Sequence, residues 1–88
     1  MALSEGEEMN TKKKVRKFII NNFLFGDGAD LKDNTSLMEA GVIDSTGILE
    51  IIGFIEKKYK FQPKTEELTV DNFDSINQIS DYIKNKIS

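Results

Sequence analysis

The chain has 88 residues, 39% apolar and 31% charged, with a formal net charge of −3. That length implies a single domain over residues 1–88 with one modest core, and the balance is that of a folded chain, not a disordered one. There is no cysteine and no histidine. This excludes a disulfide framework, a thiolate nucleophile, a zinc–thiolate site and any Ser-His-Asp or Cys-His mechanism built from this chain's own residues. A chain so composed takes part in chemistry only by borrowing its reactive group.

The opening stretch, MALSEGEEMN, lacks the basic-then-apolar order of a secretory signal, and no apolar run is long enough to span a membrane. A cytoplasmic protein is the expectation, with residues 1–8 as a flexible N-terminus. A first helix is expected from about Met9 to Phe25, with Val15, Phe18, Ile19 and Phe23 as its buried stripe. Its basic run, Lys12, Lys13, Lys14, Arg16 and Lys17, is short and preceded by acids, so it reads as a solvated helix face and not as a nucleic-acid or membrane surface. Gly26 and Gly28, with Asp27 between them, stop the helix.

Residues 26–43 read as a long structured loop. Leu31, Leu37, Met38, Val42 and Ile43 are too apolar for a free linker and are expected to pin it over the other helices, with a short helical turn near Ser36–Ala40. The loop is acidic, with Asp27, Asp30, Asp33 and Glu39 against Lys32 alone. An EF-hand reading fails on spacing: counted from Asp27, the third position is Ala29, the sixth Lys32 and the twelfth Met38. No phosphate-cradling loop ending in Gly-Lys-Ser/Thr follows Gly26 or Gly28 either.

A second helix should open at Asp44 or Ser45, both good caps, and carry Ile48, Ile51, Ile52, Ile55 and Tyr59 at steps of three and four. Lys57, Lys58 and Lys60 sit where cations suit the negative end of the helix dipole. Pro63 breaks the chain. Thr69 is placed to cap a short third helix, Val70–Phe73, and Asp74 or Ser75 to cap a fourth, with Ile76, Ile79, Ile83 and Ile87 on one face. The predicted fold is all-α: a four-helix bundle of three longer helices and a short third, with the long loop between helices one and two.

The stretch Gly41-Val42-Ile43-Asp44-Ser45-Thr46-Gly47-Ile48-Leu49-Glu50 resembles the attachment motif of the acyl carrier protein family, in which an Asp-Ser pair opens helix two. The likeness runs upstream through Thr35-Ser36-Leu37-Met38-Glu39-Ala40 and downstream through Phe54-Ile55-Glu56-Lys57-Lys58-Tyr59, ending in Leu68 to Ile76. It covers about four fifths of the chain, and the helix order agrees. The resemblance implies that Ser45 carries 4′-phosphopantetheine, transferred from coenzyme A by a separate magnesium-dependent transferase, and that acyl groups ride on its thiol as thioesters. It implies that Asp44 caps the helix and helps the transferase recognise the site, with Thr46 beside the arm. Ile48, Glu50, Glu56, Glu39 and Val42 would meet partner enzymes. The expected protein is a monomeric, non-catalytic carrier served by a phosphopantetheinyl transferase, an acyl-activating ligase or acyltransferase, and downstream acyl-processing enzymes, with no nucleic acid and no metal.

The chain departs from the family pattern at Thr46 and Gly47, where leucine and an acid are usual, and at Lys57 and Lys58, where strongly acidic members carry carboxylates. The second helix is thus less negative than in carriers of bulk fatty acid synthesis. That keeps open a specialised lipid or secondary-metabolite carrier, or an aminoacyl or peptidyl (D-alanyl-type) carrier with its own ligase. A helical interaction module without a prosthetic group and a serine hydrolase stand as readings from other classes, the last disfavoured by the missing histidine. Ile51, Phe54 and Ile55 are read as core, with a role in sheltering an acyl chain as the sharper alternative. Ser75 also follows an aspartate at a helix start but lacks the acidic approach, and reads as a cap only.

Overall fold

The computed structural model describes residues 5–24, 26 and 31–87, with side chains from Thr11 onward. Within them the chain forms α1 (Glu5–Phe23), α2 (Ser45–Tyr59), α3 (Val70–Phe73) and α4 (Ile76–Ile87), all helical as expected. A single 3-10 turn, Thr65–Glu67, precedes α3 and was not anticipated. Helix α1 begins four residues before the expected Met9, so of the predicted flexible start residues 5–8 are helical and residues 1–4 lie outside the described residues. It closes at Phe23; the predicted end at Phe25, with Gly28, Asp27 and Asp30, also falls outside them. No described helix is long and apolar enough to cross a membrane.

Helix α4 is the hub. It packs along α1 most extensively, then against α3 and α2. Its Ile76, Ile79 and Ile83 are fully buried, facing Val15 and Ile19 of α1, Ile51 and Ile55 of α2, and Phe73 of α3 in one cluster. The stripe thus follows the 3.6-residue period read from the sequence, while Phe18, Phe23, Ile48, Tyr59 and Ile87 flank it half-buried. Tyr82 is a core residue the periodicity of isoleucines does not reveal: its ring packs on Phe73, and its hydroxyl donates to Glu67 at 3.0 Å. That hydrogen bond is what allows a phenol to be buried.

Helix α2 ends before the proline. Lys60 takes a left-handed conformation (φ 62°) and its N–H bonds back to the Glu56 carbonyl, so the helix stops at Tyr59, while Pro63 lies buried beyond it. Thr69 stands at the N-cap of α3 without a side-chain cap bond.

Glu67 ties the turn before α3 to the end of α4. It accepts from the Lys64 N–H and the Tyr82 hydroxyl and forms an ion pair with Lys86. Lys86, then the Lys64 N–H, hold its carboxyl down at about 2, whereas burial, then Glu67, push the Tyr82 phenol up to about 12. A depressed carboxylate stabilises above its unfolded pKa and loses that contribution as pH falls through the folded value. Wild-type protein should therefore lose stability on acidification from about pH 4.5 to about 2. Glu67→Gln should flatten that limb in urea unfolding, and an unchanged slope would refute the assignment.

Candidate functional site

The predicted loop is built into the fold at both ends. Leu31, Leu37 and Ile43 are buried among the helices, while Met38 is partly exposed. Arg16 of α1 donates to the Leu31 carbonyl at 2.8 Å and to Asp33 at 2.6 Å, and the Asn77 N–H of α4 donates to the Asp33 carbonyl at 3.0 Å. Arg16 is therefore a half-buried anchor for the loop and not part of a wholly solvated basic face. At the other end, Asp74 accepts from the Ser36 hydroxyl at 2.6 Å and the Met38 N–H at 2.9 Å, and its carbonyl accepts from the Leu37 N–H at 2.7 Å. The expected turn near Ser36–Ala40 is present, closed by the Ala40 N–H on the Ser36 carbonyl. Gly41 (φ 74°) then reverses the chain, a conformation that suits glycine, and Val42 and Ile43 bond back to Leu37.

This path delivers Asp44 and Ser45 to the start of α2. Asp44 is the N-cap: its carboxylate accepts from the Gly47 N–H at 2.9 Å and its carbonyl from the Ile48 N–H at 3.1 Å. Ser45 is the first helical residue and is exposed, as is Thr46. The Ser45 and Thr46 amides precede the first helical acceptors, at the positive end of the dipole. Among the two residues the sequence offered as cap, the structure selects Asp44 and leaves the Ser45 hydroxyl without capping duty.

Val42, Asp44, Thr46 and Glu50 share an open groove beside Ser45, floored by Phe23, Ile43 and Gly47 with Asn22 at its rim. Glu39, Ile48 and Glu56 do not line it; Ile48 packs against the core, and Glu39 lies exposed on the loop. Leu49, 65% exposed on α2, is an apolar surface residue that sequence reading passed over. Its signal was available, since it falls off the stripe Ile48, Ile51, Ile52 and Ile55. Phe54 does not join Ile51 and Ile55 inside; it is half-buried and stacks on Phe18.

Gly47 is more than a weak point in the first turn. It is buried, and a Cβ there would stand 3.0 Å from the Ile43 Cβ and 3.2 Å from the Phe23 ring. Glycine lets the loop press against the helix directly behind Ser45.

Two stability measurements follow. Gly47→Ala gains helix propensity of about 1 kcal/mol but crowds Ile43, and a net loss of about 1 kcal/mol is expected; a higher melting temperature would mean that Ile43 yields. Asp74→Ala removes two bonds to the loop and should cost about 2 kcal/mol. Hydrogen exchange at Leu37 and Met38 should quicken in that variant, and unaltered exchange there would show the clamp to be dispensable.

No family model matches this chain, and no curated protein matches it. Among solved structures it is similar to a chain described as the crystal structure of FAD-dependent dehydrogenase, with a TM-score of 0.70 and 28% identity over 78% of this chain and 97% of that one.

Proposed function

We propose that this chain is an acyl carrier domain whose Ser45 hydroxyl bears a 4′-phosphopantetheine arm. The observation that carries the reading is the division of labour at the start of α2: Asp44 caps the helix, and Ser45, one residue on, is exposed and free for modification. The residues fit a phosphodiester. The adjoining amides and the dipole end favour negative charge, and the pinned loop presents the hydroxyl at a fixed place. The arm would supply the thiol that a chain without cysteine lacks, to hold acyl groups as thioesters. Asp44 orients the first turn, and Thr46, Val42 and Glu50 line the groove along which the proximal arm would lie.

The likeness to the solved neighbour is one of helical fold, with 78% of this chain matching 97% of that one. The proposed partners are a phosphopantetheinyl transferase and an acyl- or aminoacyl-activating ligase.

Incubation with coenzyme A, magnesium and a broad-range phosphopantetheinyl transferase should add one phosphopantetheinyl group, read by intact mass. Ser45→Ala should gain nothing, and Ser75→Ala should still be modified. Wild-type protein that never gains the mass would end the carrier reading and favour an interaction module acting through the α2 face.

A further inference from the structure

The far end of α2 has a different chemistry from its start. Lys57 lies roughly 18 Å along the axis from Ser45, at a rise of about 1.5 Å per residue. There Phe54 stacks on Phe18 of α1, ring centroids 4.4 Å apart and planes at 22°. Gly53 beside them is exposed, and a Cβ built on it meets nothing within 4 Å. The result is an open recess walled by the two phenyl rings, and a second recess shares Phe18, Phe54 and Lys58 with it. Lys57, Lys58 and Lys60 border the first, and Lys14 and Lys17 the second. These five lysines are exposed, and none makes an ion pair with a described carboxylate. Two basic runs that are far apart in sequence thus meet around one apolar hollow.

We propose that this recess docks an acidic protein helix that inserts an apolar side chain beside Gly53 and sets carboxylates against the lysine rim. Two observations choose this occupant over other polyanions. The phenyl rings each give one face to the other, which reduces the ring surface that could serve as a platform for bases. The apolar feature is a hollow, which accepts a projecting side chain, where insertion into a lipid surface needs a projecting one. Charge complementarity then selects an acidic rim on the partner and mainly sets encounter rate and specificity. The proposal does not depend on Ser45.

The test is an NMR titration of the 15N-labelled chain with a synthetic amphipathic helix of leucine and glutamate. In parallel arms the probes are phosphatidylglycerol vesicles and a single-stranded oligothymidylate. Saturable shifts should centre on Gly53, Phe54, Lys57 and Lys58 with the peptide and be absent with the other two. Lys17→Glu combined with Lys58→Glu should weaken the peptide at least about tenfold, and added salt should weaken it as well. Gly53→Leu, whose Cβ meets nothing within 4 Å, should abolish the shifts while the fold stays intact by circular dichroism. Ser45→Ala should bind as wild type does, so failure here is separable from failure of the carrier reading. The proposal is overturned if the peptide gives no saturable shifts, if Gly53→Leu binds unchanged, or if vesicles or oligothymidylate bind at this patch instead.

Discussion

The position of Ser45 depends on a carboxylate from the far end of the chain. Asp74 sits between α3 and α4, and its side chain takes the Ser36 hydroxyl and the Met38 N–H while its carbonyl takes the Leu37 N–H. Leu31, Leu37 and Ile43 bury the loop's apolar side chains. The bonds from Asp74, Arg16 and Asn77 fix the register in which the chain enters α2. The second helix makes few contacts with α4 compared with α1. Its start is therefore located by the loop as much as by helix packing.

Along α2 the charges are ordered. Asp44 caps the positive end of the dipole, and Lys57 and Lys58 lie in the last turn at the negative end. This arrangement stabilises the helix in isolation by a few tenths to about 1 kcal/mol per charge at low salt. It also gives the surface two poles. A partner reaching toward Ser45 meets the acids and the exposed Leu49, whereas one lying across α1 and α2 meets lysines around the Phe18–Phe54 pair.

Helix identities and the core face were legible because they follow from a period. Isoleucines at steps of three and four mark the core side of α2 and α4: Ile51, Ile55, Ile76, Ile79 and Ile83 are inside, with Ile48, Ile52 and Ile87 half-buried. What sequence did not reveal depends on partners distant along the chain. Tyr82 is buried because Glu67 receives its hydroxyl, and Arg16 leaves the basic face because Asp33 draws it. Gly47 reads as a helix-weakening residue until the loop packed against it is seen. Similarly, Lys14 and Lys17 read as a solvated face, and Lys57 and Lys58 as cations suited to a helix end, until α1 and α2 bring them together. The start of α2 was legible to within a residue, at Asp44 or Ser45, because capping is local. The groove beside them was not, since Asn22 and Phe23 come from α1.

The two Asp-Ser pairs make the strongest internal comparison. Both open a helix, and a local rule treats them alike. At 74–75 the serine is the cap: Ser75 is buried and its hydroxyl accepts from the Gln78 N–H at 3.1 Å, which frees Asp74 to clamp the loop. At 44–45 the helix begins one residue earlier relative to the pair, the aspartate caps, and the serine hydroxyl is released to solvent. A shift of one residue in where the helix starts thus decides which member of the dipeptide holds the backbone and which is available for something else. The loop clamped by Asp74 leads directly into that other helix start. One pair gives up its carboxylate to position the other, and the hydroxyl that the second pair sets free is the one proposed to carry the arm.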